Sequence, residues 1–281
     1  MIYNKYRLSE LPKEKLNNIT EKISRFSTPV RVVYDGDSCI PVGSATFVRY
    51  KNKIGFLGAA HVLNNRNRVP MKLGIYNQRT LVFDFFSCKT VHSLSSFRCL
   101  NPGNLSFDDP DVAFVELHTE LVLNEYEKNV WDFQNSFEDF QIAPPKAYLK
   151  ITGVCGVPSR DTVMYYDKEI DRDMVVYKDA GVYYAPEHRS QDIDVTIDGK
   201  VYVTDNIFIE ISPECSKDLP ETYKGISGGG CWEIYLDKAL NCICICLIGV
   251  QVAQFPPIRP YQLWCKGPKT ITALFSHSQS F

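Results

Sequence analysis

One serine of this chain stands inside a run of glycines, Lys224-Gly225-Ile226-Ser227-Gly228-Gly229-Gly230, directly before an apolar segment. Glycine reaches positive φ cheaply and lets backbone approach a ligand closely. A serine on such a turn can sit beside backbone N–H groups that converge in front of its hydroxyl. Acyl transfer needs that pairing: a nucleophile, and donors for the oxyanion it creates. A Gly-rich turn with a bystander serine is the plainer alternative, so the reading depends on what else the chain supplies. A hydroxyl is a poor nucleophile at neutral pH. An imidazole near its unperturbed pKa of ~6.5 takes its proton and returns it to the leaving group, while a carboxylate fixes the imidazole's tautomer.

Both partners have candidates upstream. His61 follows Gly43-Ser44-Ala45-Thr46-Phe47-Val48-Arg49-Tyr50, a polar turn from Lys51 to Lys53, and Ile54-Gly55-Phe56-Leu57-Gly58-Ala59-Ala60. Two apolar runs around a short polar turn predict a β-hairpin, with His61 just past its second strand. Asp111 lies in Asp108-Asp109-Pro110-Asp111-Val112-Ala113-Phe114-Val115, where an acidic turn becomes an apolar strand. Taken alone, His61 is an ordinary turn histidine and Asp111 a strand-start Asx turn. Asp108 and Asp109 rival Asp111 for the carboxylate role. His92, His118, His188 and His277 stand in no catalytic context and are read as core or surface residues.

Together these segments resemble the trypsin/chymotrypsin-like serine peptidases, in the form of the cytosolic bacterial members. The order His61, Asp111, Ser227 is that family's order. Ala59-Ala60-His61 resembles its histidine motif, Asp111-Val112-Ala113 its aspartate motif, and Gly225-Ile226-Ser227-Gly228-Gly229 its Gly-x-Ser-Gly-Gly motif. The segment Gly249-Val250-Gln251 resembles the strand beside the substrate cleft, and Thr152-Gly153-Val154-Cys155-Gly156-Val157-Pro158 the start of a second barrel. The resemblance spans roughly residues 28 to 275. It implies an all-β fold of two six-stranded antiparallel barrels with the active site between them, preceded by a short N-terminal helix.

The resemblance also implies roles. His61, Asp111 and Ser227 would be catalytic, and the backbone N–H groups of Gly225 and Ser227 would form the oxyanion hole. Glu221, six residues before the nucleophile, would lie at the base of the pocket for the residue preceding the cut. A buried carboxylate there favours Arg or Lys. Val252, Ala253 and Gln254 would line one wall of that pocket. Ile226 stands where the zymogen-activated members carry an aspartate that pairs with a newly cut N-terminus. An isoleucine forms no such pair, so no N-terminal activation is expected.

Composition sets the bounds. The chain has 281 residues, 44% of them hydrophobic, enough for a substantial core. Many short aromatic and β-branched runs between turn residues point to a barrel or sandwich. The net charge of −2, with Lys and Arg scattered, gives no reason to expect nucleic acid or an anionic membrane surface. No leader-like apolar stretch opens the chain and no run approaches a bilayer span, so a cytoplasmic location is expected. Ten cysteines allow a disulfide framework. Two of the secreted members' cysteine positions are Val62 and Tyr223 here. Cys242, Cys244 and Cys246 alternate with isoleucines, on one face of a strand at a spacing of ~7 Å that suits no easy disulfide. C-x-C-x-C is a weak metal signal, so the cysteines are read as reduced structural thiols. Neither a metal nor a cofactor is expected.

Along the chain, residues 1–27 read as an extension with a helix from Ser9 to Arg25. Ser9 is its candidate N-cap, and Leu8, Leu11, Leu16, Ile19 and Ile23 form its apolar stripe. Residues 28–125 are read as the first barrel with His61 and Asp111, 126–145 as the crossing, and 146–281 as the second barrel with Ser227. The polar stretch from Asp161 to Asp205 exceeds what a compact barrel needs and predicts extra hairpins. The expectation is a serine endopeptidase acting on a protein or peptide, with a regulatory protein as a second partner. The alternatives are an inactive two-barrel binding module, and an acyl hydrolase on an unrelated fold. A strand–turn–helix around the serine would mark the latter, and Gly228-Gly229-Gly230 is a poor helix start.

Overall fold

The computed structural model describes residues 8–33, 39–63, 72–77, 82–94, 109–117, 128–133, 147–158, 162–167, 172–177, 180–211, 225–254 and 262–278. It is an all-β molecule; among the described residues there are three α-helices, and the strands fall into two principal sheets.

The first sheet holds β1 (Ser27–Val33), β2 (Cys39–Tyr50), β3 (Lys53–Ala59), β4 (Lys72–Asn77), β5 (Val82–Leu94) and β6 (Val112–Leu117). Their order is β1-β4-β5-β6-β3-β2, and β2 pairs back onto β1, so six antiparallel strands close into a barrel. Closure leaves no edge among them. The short strand β7 (Trp131–Asp132) joins β2 in parallel. The expected hairpin is present: β2 and β3 pair Phe47 with Phe56, whose rings lie 4.6 Å apart, and Lys51 turns the chain at φ 53°. Phe47, Phe56, Leu73 and Ile75 share one buried cluster inside the barrel and are fully buried, while Leu57, next to Phe56, faces the other way into the second cluster.

The second half contains β8 (Leu149–Gly156), β11 (Gly181–Ala185), β12 (His188–Ile197), β13 (Lys200–Glu210), β14 (Gly230–Leu236), β15 (Cys242–Gln254) and β16 (Gln262–Lys266). Seven strands run in the order β11-β8-β14-β15-β16-β13-β12, one more than the six expected. The excess comes from the long polar stretch, which forms the β12–β13 hairpin and the separate β9 (Thr162–Asp167) and β10 (Arg172–Tyr177) hairpin. The predicted extra hairpins are therefore present.

Helix α1 spans Lys13–Ser24, and α3 spans Pro268–Ser278. Ser9 does not cap α1. Pro12 occupies that position without a side-chain bond, and residues 8–10 form a separate 3-10 turn. Proline has no N–H and pushes the residue before it out of helical conformation, so the helix cannot extend backwards past it. The apolar stripe holds: Leu8, Leu11, Ile19 and Ile23 are buried and Leu16 packs beside them. Among the described residues no helix is long and apolar enough to cross a membrane. Cys88, Cys155, Cys231, Cys242, Cys244, Cys246 and Cys265 are free thiols, and the sulfurs of Cys244 and Cys246 sit 3.7 Å apart.

Aromatic side chains join the halves. Phe26 lies 6.0 Å from Trp131 and 5.2 Å from Trp232, and the two indoles are 5.5 Å apart. On α3, Phe275 stacks on Tyr50 at 3.8 Å and meets Phe114 and Phe133. Ile23, Phe114, Trp232 and Phe275 all belong to one hydrophobic cluster.

Ile23→Ala removes a fully buried side chain from this cluster. A loss of about 2–5 kcal/mol is expected, seen as a fall in Tm of roughly 5–15 °C by calorimetry. An unchanged Tm would show that α1 is not part of the cooperative fold.

Candidate active site

The site is set by the last rungs of the β3–β6 ladder. Ala59 pairs with Val112, so the residues just beyond, at 60–61 and 111, face each other. The Ala60 N–H donates to the Asp111 carbonyl at 3.1 Å. His61 sits on α2 (Ala60–Leu63), a single helical turn that begins where β3 ends.

His61 and Asp111 meet at two points. The His61 backbone N–H donates to Asp111 Oδ1 at 2.9 Å, and His61 Nδ1 lies 2.7 Å from Asp111 Oδ2. A carboxylate only accepts, so Nδ1 carries a proton and Nε2 is left as the basic nitrogen. The Asp111 side chain is 1% exposed and that of His61 19%. Asp111 has φ 41°, a left-handed conformation that Asp tolerates better than most residues. Asp109 supports it by accepting the Asp111 N–H at 3.2 Å. Thus Asp111 contacts the imidazole and Asp109 braces Asp111, while Asp108 lies outside the described residues.

Burial pulls the His61 pKa down. The Asp111 charge and hydrogen bond, aided by the Asp109 charge, more than offset it, and the pKa lies above 6.5. A raised pKa means that protonated His61 stabilises the fold. That contribution is complete below the unfolded value of ~6.5 and fades as pH rises through the folded value.

The Ser227 turn comes from the second half. Gly225 and Gly228 have φ of 96° and 91°. A Cβ on Gly228 would stand 2.0 Å from the Ser44 carbonyl oxygen and 3.4 Å from the Ala59 nitrogen, so only glycine fits. This contact lays the turn against the strand end that leads to His61. The Gly229 N–H donates to the Ile226 carbonyl at 2.8 Å, and two further 2.8 Å bonds tie the turn to β15: Gly228 N–H to Gln251 carbonyl, and Gln251 N–H to Gly229 carbonyl. Ile226 is fully buried in the core, where its Cβ lies 2.8 Å from the position a Cβ on Gly156 would take. Ile226 is thus a hydrophobic anchor for the turn.

The structure therefore joins His61 to Asp111 directly and brings the Ser227 turn to the same strand end. Among the described residues no hydrogen bond links Ser227 to His61. Such bonds commonly tighten only when substrate binds. Val252 is 2% exposed and packs in the same cluster as Ala60 and Val62. Ala253 and Gln254 are half-buried at the C-terminal end of β15, paired with β16, and Glu221 lies outside the described residues. Among the described residues no group of three or more His, Cys, Asp or Glu is placed to hold a metal. Sequence reasoning missed Ser44, whose N–H donates to the Ser227 carbonyl at 2.9 Å. Its one visible signal was its place between Gly43 and Ala45 at the start of an apolar run.

No protein-family model and no curated protein matches the chain. Among solved structures it is similar to a double mutant of human heparin binding protein, at 11% identity and a TM-score of 0.45, over 99% of this chain and 97% of that one. The unmutated human heparin binding protein gives 10%, a TM-score of 0.44, and 98% and 96%. The serine protease domain of the Sesbania mosaic virus polyprotein gives 14% and 0.36, over 86% of this chain and 94% of that one.

Proposed function

We propose that this chain is a serine endopeptidase with the nucleophile Ser227, the general base His61 and the orienting carboxylate Asp111. The observation that carries this reading is the two-point contact between residue 61 and the buried Asp111, set beside a glycine turn that presents a serine. A carboxylate that only completed a turn would not need to grip both the main chain and the ring of one histidine. The grip leaves Nε2 as the free basic nitrogen, as proton abstraction requires.

In this mechanism His61 Nε2 removes the Ser227 hydroxyl proton as Oγ bonds to the substrate carbonyl carbon. The carbonyl oxygen becomes an oxyanion held by the N–H groups of Gly225 and Ser227. The imidazolium, stabilised by Asp111, then gives its proton to the amine as the peptide bond breaks. Water repeats the sequence on the acyl-enzyme and restores Ser227. The substrate class is protein or peptide. The preference for a basic residue before the cut through Glu221 and the cytoplasmic location are parts of the same proposal, supported by the sequence alone. Buried Ile226 supports activity that needs no new N-terminus.

A fluorophosphonate probe tests the assignment. One adduct is expected on wild type, mapped to Ser227 by intact and peptide mass, and none on Ser227→Ala or His61→Ala. A folded wild type that takes up no probe would point to the binding-module alternative. The labelling rate should rise with pH as His61 loses its proton, with a midpoint above 6.5. A midpoint at or below that value would contradict the geometry. Asp111→Asn should slow labelling by about ten-thousand-fold at neutral pH, because the wrong tautomer is then favoured.

A further inference from the structure

Ser44 belongs to β2 of the first barrel and is fully buried. Its backbone N–H and its hydroxyl both serve the second half. The backbone N–H donates to the Ser227 carbonyl at 2.9 Å. The hydroxyl donates to the Gly225 carbonyl at 3.0 Å and accepts the Val157 N–H at 2.9 Å. A serine hydroxyl has one hydrogen to give. The Val157 N–H anchors the oxygen, and the hydrogen goes to Gly225.

A peptide unit is planar and trans, so fixing its carbonyl fixes the opposite direction of the next residue's N–H. Three consecutive units of the turn are held in this way. Ser44 Oγ holds the Gly225 carbonyl, Gly229 holds the Ile226 carbonyl, and Ser44 N–H holds the Ser227 carbonyl. Any residue but proline at position 44 supplies the backbone bond. The bond to Gly225, a glycine at φ 96°, needs a side-chain donor, and the hydroxyl supplies it.

We propose that the Ser44 hydroxyl is a positioning residue for catalysis, acting through Gly225 to hold the oxyanion-binding turn in shape. The proposal rests on the peptidase reading and deepens it: the first barrel supplies the base and its carboxylate, and also the brace for the electrophilic part of the site. Losing one direct oxyanion donor costs about 100- to 1000-fold. The unit held by the Ser44 hydroxyl carries the Ile226 N–H and links the two donor residues, Gly225 and Ser227, so losing its brace should cost less: both donor N–H groups remain present but less well aimed.

The test compares Ser44→Ala and Ser44→Thr with wild type and Ser227→Ala. Fluorophosphonate labelling, Tm, and hydrogen exchange of the peptide covering residues 225–230 are measured for each. Ser44→Ala should label about 10- to 100-fold more slowly while folded, with the pH midpoint unmoved because Ser44 does not touch His61. Ser44→Thr, which keeps the hydroxyl, should label within about threefold of wild type. Exchange across the turn should rise about tenfold in the alanine variant alone. Wild-type labelling by Ser44→Ala, or equal loss in both variants, would overturn the proposal. If Ser44→Ala does not fold, Ser44→Cys takes its place under the same criteria, keeping the volume with a much weaker donor. The exchange arm reads the brace without any chemistry. An unlabelled wild type with faster exchange in Ser44→Ala sinks the peptidase reading and leaves the brace standing; unchanged exchange sinks the brace.

Discussion

Asp111 is 1% exposed, and a carboxylate withdrawn from water must satisfy its oxygens or give up its charge. Residue 61 satisfies both of them, one through its main-chain N–H and one through its ring. That double use fixes the imidazole against rotation and flipping without any further side chain. It also explains the local fold. The backbone N–H of His61 is free to meet the carboxylate because it opens a short helical turn, where the first N–H groups have no partner of their own. The strained backbone of Asp111 is the cost of pointing the carboxylate back across the ladder, and Asp109 offsets it.

The second requirement is that two sheets folded from different parts of the chain meet with small error. The contact at the turn is backbone against backbone: Ser44 carbonyl against Gly228, Ser227 carbonyl against Ser44 N–H. Such contacts are shorter and less adjustable than contacts between side chains, so they set the relative position of Ser227 closely. The indoles of Trp131 and Trp232 with Phe26 on one side, and Phe275 on the other, supply the apolar area that holds the halves at that position.

Much of the site could be read from the sequence because its chemistry needs unusual local residues. Glycines at positive φ, an aspartate at a strand start and a histidine after a hairpin each leave a local mark. The β2–β3 hairpin, the all-β class and the apolar stripe of α1 were legible through periodicity. The start of α1 was misplaced because serine chemistry was weighed above Pro12. The seventh strand of the second sheet was not legible, since the length of a polar stretch does not reveal which edge it will join. Helix α3 was missed although Ile271, Leu274 and Phe275 carry helical spacing, because the run is only 11 residues long and rich in β-branched types. The role of Ser44 was not legible for a different reason. Its partner Gly225 lies 181 residues away, and nothing around Ser44 records that contact.

Helix α3 comes after every strand in the chain, yet Phe275 covers Tyr50, Phe114 and Phe133, which precede the second sheet. During synthesis the first barrel can close its hydrogen-bond ladder early, but this aromatic face stays uncovered until α3 emerges. The pair formed by His61 and Asp111 can then exist in a nascent chain well before the serine that would use it, and before the clasp that locks the halves. The order of translation thus separates the building of the His61–Asp111 pair from the arrival of Ser227, and a ribosome-bound fragment ending before α3 would carry an exposed aromatic surface suited to capture by a chaperone.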